Sequence, residues 1–448
     1  MKDDLHLLSA VDAADAIRAG RLSSEALVQA CLDRIGDDAI RAWAYLDPDL
    51  ALVQAHEMDR IRKSGKATGA LHGVPVGLKD IIDTKVMPTE CGTPVFAGRT
   101  PDRDALIVDR LREAGAVIMG KTKTAEFAYL HPTDTTNPHS AAHTPGGSSS
   151  GSAAAVAARH VPLAVGTQTG GSVIRPASFC GTFGLKPTRG MISRSGLMRS
   201  SATLDQVGVF ANTLDDIALL TDVLGCYDQS DPASFARPRP ALAEGARADA
   251  PVEPDIAWFD MPYHDRLTAD AREGFEAVIE ALGGSVERFE IAPQLAGLTD
   301  VHKTIYDFEL AREMERLVAE HPDAISPEMC ASVARGLAIG LAEYEDALAV
   351  SETANAFFTE HFNDFDAIMA PSASGEALPL SAGNTGDAIY CTIWTLAGLP
   401  CLTLPLLVGA AGLPIGVQLI GGTEEDDRLM RTAAWMLRAL AAQEDAEE

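Results

Sequence analysis

The sequence predicts an α/β protein built as one interwoven domain rather than two separable ones. Apolar segments of strand length alternate with amphipathic segments of helical period along most of the 448 residues. Such alternation is typical of layered strands and helices. Hydrophobic residues make up 46% of the chain and charged residues 22%, so there are enough apolar side chains for a sizeable core.

Residues 1–65 are predicted to form a helical segment packed on that core. Ser9 can cap a first helix that ends near Gly20, and Ser24 opens the run ALVQACLDRI. Strands and helices then alternate, in the order VPVGLKDII (strand), DALIVDRLREAG (helix), AVIMG (strand), SAAAVAARH (helix) and PLAVGT (strand).

The second half continues the pattern after an interruption. Residues 227–254 are rich in Pro, Ala and acidic residues, which predicts an exposed linker or excursion. Long helices are expected from about 300 to 362. The strands expected in this half are DIAWFD, SVERFEI, DAIMAPS, LTLPLL and IGVQLI.

One stretch, Ala388–Thr423, contains no charged residue and is long enough to imitate a membrane span. Pro400, Pro405 and Pro414 divide it into pieces of strand length. We therefore interpret it as buried strands of a soluble sheet and expect no membrane association.

The net charge limits which partners are expected, and the cysteine pattern limits which cellular compartment is expected. Acidic residues outnumber basic ones by 64 to 36, so the net charge of −28 would repel a phosphate backbone, and no nucleic acid partner is expected. The seven cysteines are scattered and contain no CxxC pair, which favours a reducing cytoplasm. The first twenty residues carry four Asp, unlike a signal peptide.

Three motifs suggest chemistry that their contexts disfavour. Gly115–Thr122 (GAVIMGKT) matches a phosphate loop, but its four central residues have the character of a strand. Ser149 lies in a GxSxG motif, but no strand precedes it as a hydrolase elbow requires. Three histidines are close enough in sequence to suggest zinc ligands: His131, His139 and His143. They stand among prolines that forbid a regular helix, so no metal is expected.

The most informative segment is Gly166–Lys186, in which Ser172 follows two glycines. Glycines let a backbone approach a ligand closely and turn several N–H groups in one direction, which is how an oxyanion hole is built. GGS is also a common turn, so this feature alone leaves both interpretations open.

The chain resembles the amidase signature family in PGGSSSGSAAAVAA (145–158), GTQTGGSVIRPASFCGTFGLKPTRG (166–190), GVPVGLKDIIDT (73–84) and LPIGVQLIG (413–421). The resemblance implies one large domain with a central mixed β-sheet covered by helices on both faces. It implies a signature core at 66–226 and a second part, 255–448, that completes the same sheet and covers the active site. Within the family the motifs are most similar to malonamidase-like members that act on small carboxylated amides.

The resemblance implies a Ser-Ser-Lys triad with Ser172 as nucleophile, Ser148 as bridging serine and Lys79 as base. The sequence alone does not choose Ser148 over its two serine neighbours. A lysine can act as a base near neutrality only where its charged form is disfavoured, and the apolar run VPVGL before Lys79 could exclude water. The alternative is an ordinary surface lysine near Asp80.

Two further features concern the substrate. The resemblance implies an oxyanion hole from the N–H groups of Thr169, Gly170, Gly171 and Ser172. It also implies that Arg175 holds a substrate carboxylate through paired hydrogen bonds, the alternative being that Arg175 pairs with a protein acid.

Some positions are expected to lie outside the chemistry or depart from the family. Asp205 is interpreted as structural support. Many family members have Gly where Ser150 stands and Asp where Gln168 stands, which makes a glutamine-using amidotransferase subunit less attractive.

The predicted activity is hydrolysis of a small carboxylated amide such as malonamate, through an acyl-enzyme and with release of ammonia. The enzyme is expected to be a homo-oligomer, most simply a dimer, and to use neither a cofactor nor a metal. Alternatives within the family are a carboxybiuret or allophanate hydrolase, an arylamide hydrolase and the glutaminase subunit of an amidotransferase. An inactive scaffold with the same fold is the alternative from another class.

Overall fold

A mixed β-sheet forms the centre of the molecule. The computed structural model describes residues 4–261, 263–290, 295 and 297–447, and eleven strands of this part of the chain join one sheet. The strands are β1 (Trp43–Leu46), β2 (Pro75–Lys79), β3 (Val117–Thr122), β4 (Leu163–Gln168), β5 (Phe183–Lys186), β6 (Gln206–Ala211), β7 (Ile256–Asp260), β8 (Val286–Glu290), β9 (Ala367–Pro371), β10 (Cys401–Val408) and β11 (Pro414–Ile420).

The strands lie in the order β1-β3-β2-β4-β6-β5-β10-β11-β9-β7-β8. β2 is parallel to both β3 and β4, and β7 is parallel to both β8 and β9, whereas the remaining pairs are antiparallel. The two halves of the chain meet where β5 pairs with β10. The predicted α/β class with a mixed sheet is therefore confirmed.

Helices cover both faces of the sheet. They are α1 (Ala10–Arg18), α2 (Ser24–Ile35), α3 (Pro48–Lys63), α4 (Leu106–Glu113), α5 (Ser150–Ala157), α6 (Ile174–Cys180), α7 (Leu214–Leu224), α8 (Leu242–Arg247), α9 (Ala269–Leu282), α10 (Leu298–Glu320), α11 (Pro327–Ala338), α12 (Leu341–His361), α13 (Ile389–Leu396) and α14 (Asp426–Glu447). Because helices lie on both sides, β2, β3, β4 and β6 are buried along their whole length.

Two of the questionable motifs lie inside these elements. The phosphate-loop match contains β3, and its Lys121 is buried, with Nζ donating to the Ile82 carbonyl at 2.6 Å. The charge-free stretch contains α13, β10 and β11, so LTLPLL and IGVQLI are strands as predicted. In the described part of the chain, no helix is both long and apolar enough to cross a membrane.

The N-terminal 65 residues contain a strand that their sequence did not predict. β1 pairs with β3 at the edge of the sheet, with Trp43 opposite Thr122. Gly120 makes room for this pairing, since a Cβ there would lie 2.3 Å from the Tyr45 carbonyl oxygen of β1 and 3.1 Å from the Trp43 ring. A strand of four residues forms here because its neighbour offers a free edge, which local sequence does not reveal.

The expected linker at 227–254 is partly ordered against the core. It contains α8, whose first N–H groups, from Leu242 and Ala243, each donate to the Asp222 carboxylate at 2.9 Å. Leu242 is fully buried. The carboxylate that caps this helix thus comes from outside residues 227–254, and no capping residue within that segment predicts the helix. The division of the chain at residues 66, 227 and 255 stays a prediction.

Candidate active site

The carboxyl ends of two parallel strands bring the predicted residues together. Lys79 is the last residue of β2, and Gln168 is the last residue of β4. Because the two strands are parallel neighbours, their carboxyl ends lie at the same edge of the sheet. The segment after β4, residues 169–172, is called the oxyanion loop below and leads into α6.

Lys79 is buried among hydroxyl groups. Its Nζ lies 2.8 Å from Ser148 Oγ and 2.8 Å from Thr167 Oγ1, and its side chain is excluded from solvent. Burial lowers the pKa of Lys79 to about 7, although the negative charge of Asp205 opposes the shift. A neutral amine is therefore well populated near neutral pH. The alternative of a surface lysine is wrong.

The three consecutive serines have different partners. Ser148 Oγ faces Lys79, whereas Ser149 Oγ donates to the Thr167 carbonyl at 3.1 Å and Ser150 Oγ donates to the Gly146 carbonyl at 2.8 Å. The peptide bond between Gly147 and Ser148 is cis. Of the three hydroxyls, that of Ser148 is the one in contact with the buried amine.

Ser172 is tied to this pair through its main chain, and among the described residues no hydrogen bond joins its side chain to Ser148 or Lys79. It is partly exposed, while Ser148 is buried. The Ser172 carbonyl accepts a hydrogen bond of 3.4 Å from the N–H of Ser149, which places the two serine segments side by side. Ser172 therefore has the exposure that a nucleophile needs to meet a substrate.

The oxyanion loop presents unused donors. The N–H groups of Gly170, Gly171 and Ser172 donate to no acceptor among the residues that the structure describes. Thr169 is held by its side chain, whose Oγ1 donates to Asp205 at 2.6 Å. Free N–H groups beside a nucleophilic hydroxyl are the arrangement that stabilises a developing oxyanion.

The side chains of Gln168 and Asp205 hold the residues at the two ends of the oxyanion loop. Gln168 Oε1 accepts from the N–H groups of Val173 and Ile174 at 2.8 and 3.0 Å, which secures the first turn of α6. Asp205 also accepts from the N–H of Ser200 at 2.8 Å. Burial raises the pKa of Asp205, and the donors around it oppose that shift. The structural role inferred for Asp205 agrees with these contacts.

Arg175 is a buried cation with spare donors. Its side chain reaches the Gly147 carbonyl at 2.5 Å and Thr385 Oγ1 at 3.1 Å through Nη2, while Nε has no partner among the described residues. Within that part of the chain no carboxylate lies within 4.0 Å of it, and the nearby Asp387 is paired with Arg266 at 2.9 Å. The alternative of a protein acid as partner therefore finds no support here.

The loop histidines have protein partners. His139 Nε2 donates to the Cys180 carbonyl at 2.9 Å, and His143 Nδ1 lies 2.7 Å from Ser140 Oγ. His131 faces Glu328 at 3.6 Å. Across the residues described by the structure, no group of three or more His, Cys, Asp or Glu side chains is arranged to hold a metal ion.

Sequence reasoning missed Thr167 as a second hydroxyl partner of Lys79. Its position at the end of β4 is visible in the sequence, but a threonine in a strand is ordinary and points to no site. The contact depends on the pairing of β4 with β2, which local sequence does not encode.

Comparisons with known proteins agree with this geometry. A family profile described as Amidase matches residues 26–430. The chain is 35% identical to a glutamyl-tRNA(Gln) amidotransferase subunit of Chloroflexus aggregans, over 96% of this chain and 95% of that protein. It is 34% identical to the protein of the same name from Salinispora arenicola, over 96% of this chain and 97% of that protein.

Solved structures with the same fold include enzymes with different substrates. The peptide amidase from Stenotrophomonas maltophilia superposes with a TM-score of 0.83 at 29% identity, covering 97% of each chain. A 6-aminohexanoate cyclic dimer hydrolase superposes with a TM-score of 0.85 at 26% sequence identity, covering 98% of this chain and 97% of the other. The TM-score is 0.89, at 26% sequence identity, with a protein from a vestigial complex described as revealing the evolutionary origins of an s-triazine catabolic enzyme. That superposition covers 96% of this chain and 98% of the other.

Proposed function

The chain belongs to the amidase family and is a hydrolase of amide C–N bonds, and we propose that Ser172, Ser148 and Lys79 carry out its reaction. The observation that carries this proposal is the 2.8 Å contact between the buried Lys79 Nζ and Ser148 Oγ, with the Ser172 carbonyl accepting from the N–H of the adjacent Ser149. A buried amine with a pKa of about 7 can accept a proton at neutral pH.

The reaction would proceed in two halves. Ser172 Oγ attacks the amide carbon while its proton passes to Ser148 and the proton of Ser148 passes to Lys79. The carbonyl oxygen becomes an oxyanion that accepts from the loop N–H groups. The C–N bond then breaks as the proton returns through Ser148 to the nitrogen, which leaves as ammonia. Water attacks the acyl-enzyme by the same relay and releases a carboxylic acid.

We propose that the substrate is a small primary amide that carries a carboxylate. Arg175 supports this, because its buried guanidinium has spare donors and no acid within 4.0 Å among the described residues. A buried cation without a directly paired acid is costly, and a substrate anion would relieve that cost. Paired hydrogen bonds to a carboxylate suit the planar guanidinium.

Two substrates fit this class, and different observations favour them. The curated relatives favour glutamine, with this chain as the glutaminase subunit of an amidotransferase, because the 35% identity extends over 95% of the relative. Arg175 favours malonamate, because it contacts the peptide that precedes Ser148, so a bound carboxylate would lie close to the scissile carbon. Malonamate has only one carbon between its amide and its carboxylate.

The two candidates also differ in partners. A malonamate hydrolase is expected to act alone as a homodimer. An amidotransferase subunit would need other subunits to hold the RNA, because a net charge of −28 disfavours direct RNA contact.

Ammonia release from matched amides tests the proposal. The series would be malonamate, succinamate, glutamine and propionamide, the last without a carboxylate. We expect Ser172→Ala to abolish turnover and fluorophosphonate labelling. We expect Arg175→Gln to raise KM for the carboxylated amides at least about tenfold, the scale of a lost charged hydrogen bond, and to leave propionamide unchanged.

The control for Arg175 is Arg189, another largely buried arginine, whose Nη1 donates to the Thr203 carbonyl. Arg189→Gln should leave the preference for carboxylated amides intact. Equal turnover of malonamate and propionamide by both wild type and Arg175→Gln would refute the carboxylate assignment. Glutamine turnover that appears only with added amidotransferase subunits would decide for the glutaminase, whereas turnover of malonamate by the chain alone would decide against it.

A further inference from the structure

The carbonyl groups of the oxyanion loop are each held by a donor from outside the loop. The Thr169 carbonyl accepts from His302, the Gly170 carbonyl from Thr395, the Gly171 carbonyl from the N–H of Arg175, and the Ser172 carbonyl from the N–H of Ser149. In a peptide the C=O and the next N–H point in opposite directions, so anchoring the carbonyls turns the following N–H groups the other way.

Two of these anchors are side chains from distant parts of the sequence. His302 lies on α10 and is 6% exposed, and its Nε2 is 2.7 Å from the Thr169 carbonyl. A carbonyl can only accept, so Nε2 carries the hydrogen. The ring also borders Gly170, since a Cβ at that glycine would lie 3.8 Å from His302 Cε1.

Thr395 lies on α13 and is fully buried. Its Oγ1 is 2.7 Å from the Gly170 carbonyl and accepts from Gln168 Nε2 at 3.0 Å. The Cys391 carbonyl of the same helix lies at 2.9 Å, so the single hydroxyl hydrogen is shared between two acceptors, of which the Gly170 carbonyl is the nearer. Gln168 in turn holds the first N–H groups of α6. The hydroxyl of Thr395 is therefore connected both to the loop carbonyl of Gly170 and, through the Gln168 side chain, to the start of α6.

We propose that His302 and Thr395 are positioning residues that fix the direction of the Gly170 and Gly171 N–H groups toward the oxyanion. His302 orients the peptide between Thr169 and Gly170, and Thr395 orients the peptide between Gly170 and Gly171. Neither side chain is assigned contact with the reacting atoms. The inference rests on the proposed function, because it gives these donors the oxyanion of the Ser172 reaction.

The position of α10 supports this role for His302. Glu309, on the same helix, accepts from the N–H of Thr203 at 3.0 Å and from the hydroxyl of Thr203 at 2.5 Å. Thr203 precedes Asp205, which holds the other side of Thr169. The helix that carries His302 is thus fastened to the segment that supports the loop.

Variants of both residues test the proposal. Thr395→Val and His302→Leu remove the donors at similar volume, and Thr395→Ser and His302→Gln retain one. We expect the first pair to lower kcat and the rate of fluorophosphonate inactivation by about tenfold to a hundredfold, the scale of misplaced oxyanion donors, with KM changed less than about twofold. The second pair should recover most of the loss.

Matched controls separate positioning from stability. Thr392 lies on the same helix and its Oγ1 donates to the carbonyl of Ala388, the residue that precedes that helix. His160 is another buried histidine, with its Nδ1 accepting from Trp43 Nε1 at 3.3 Å. Thr392→Val and His160→Leu should change Tm by amounts like those of the test variants while kcat stays near the wild-type value.

Three results would overturn the inference: unchanged kcat in folded Thr395→Val and His302→Leu, equal losses in the control variants, or losses that Thr395→Ser and His302→Gln do not relieve. If one test variant fails to fold, the other decides, because they anchor different carbonyls. Activity that survives in Ser172→Ala would instead refute the proposed function, which is a separate outcome.

Discussion

The acceptors around Lys79 distinguish it from the other buried lysines. Lys121 and Lys186 are also excluded from solvent, but the shortest contact of each is with a main-chain carbonyl, of Ile82 and of Leu399 respectively, although Lys121 Nζ also lies 2.7 Å from Thr89 Oγ1. A carbonyl cannot return a proton, so it favours an amine that keeps its hydrogens. The two shortest contacts of Lys79 Nζ are instead with hydroxyls, at 2.8 Å each, while the Thr167 carbonyl lies farther away at 3.5 Å. A hydroxyl can either accept from the amine or donate to it. This makes Lys79 the lysine suited to act as a base.

The pKa of Lys79 predicts the acid limb of the activity profile. Burial lowers that pKa to about 7, and only the neutral amine accepts a proton from Ser148. We expect kcat/KM to rise with pH through about 7 and to level off above it. Initial rates of ammonia release across pH 5 to 9 measure this. A flat profile over the range would contradict a lysine base, and Lys79→Met should show no activity at any pH.

Removing the amine should also change stability in a pH-dependent way. The pKa of Lys79 is about 7 in the folded chain and about 10.5 when unfolded, so between these values the unfolded state holds more protons. The wild-type free energy of unfolding therefore gains a contribution that rises with pH, by at most about 1.4 kcal/mol per pH unit. Below pH 7 both states are protonated and the buried charge is most costly.

We therefore expect Lys79→Met to be stabilised most, relative to wild type, at pH 6, with the difference shrinking toward pH 9. Denaturant unfolding at several pH values measures it. Lys186→Met is the matched comparison, because it strands Gln206 Oε1, to which Lys186 Nζ donates at 2.8 Å, and it should destabilise. A Lys79→Met difference that does not depend on pH would contradict the lowered pKa.

At the scale of elements, the oxyanion loop is pressed against α13 at one glycine and not at the other. A Cβ at Gly171 would lie 3.1 Å from Ala388 Cβ and 3.2 Å from Cys391 Sγ, tighter than ordinary contact. A Cβ at Gly170 would have its nearest neighbour, Ala388 Cβ, at 3.7 Å. The two glycines therefore differ in what they permit, although they are neighbours in sequence.

We expect Gly171→Ala to lower kcat by about tenfold or more by shifting the loop from α13, and Gly170→Ala to cost less. Ala388→Gly removes the closest neighbour of the new methyl group, so the double variant Gly171→Ala with Ala388→Gly should regain part of the activity. Steady-state kinetics with Tm as a folding control measures this. A larger loss in Gly170→Ala would contradict the packing argument.

Elements defined by their own residues were predictable, and those defined by a distant partner were not. The strand-length pieces of the charge-free stretch predicted β10 and β11, because prolines and glycines mark their ends in the sequence itself. β1 and α8 depend on a free strand edge and on the carboxylate of Asp222, which come from elsewhere in the chain.

The site divides in the same way. The resemblance to the amidase signature family indicated Lys79, Ser148 and Ser172, whose triad roles stay a prediction. Thr395 lies 225 residues from the carbonyl that it holds, and a threonine inside a helix has no local feature to indicate such a contact. His302 is similarly remote, at 133 residues from Thr169. Contacts of this kind follow from the packing of α10 and α13 on the loop and cannot be inferred from spacing.

At the scale of the whole molecule, charge repulsion opposes folding. The chain carries 64 acidic and 36 basic residues. α12 concentrates this imbalance: it has no Lys or Arg, and its acidic residues are Glu343, Glu345, Asp346, Glu352 and Glu360. Like charges on one compact surface repel one another, and unfolding separates them. Dissolved salt screens this repulsion, since the Debye length falls from about 10 Å at 0.1 M to about 3 Å at 1 M.

We therefore expect Tm to rise by several degrees between 0.05 M and 1 M NaCl, in contrast to a protein held together mainly by surface ion pairs. Glu345→Lys with Glu352→Lys places cations among the acids of α12, both at exposed positions, and should raise Tm at low salt while reducing the salt dependence. Replacing both residues by Gln is the control and should give a smaller change of the same sign. Scanning calorimetry across NaCl concentrations, repeated in choline chloride to separate screening from ion binding, measures both effects. A Tm that falls with salt would show that the surface ion pairs outweigh the net repulsion.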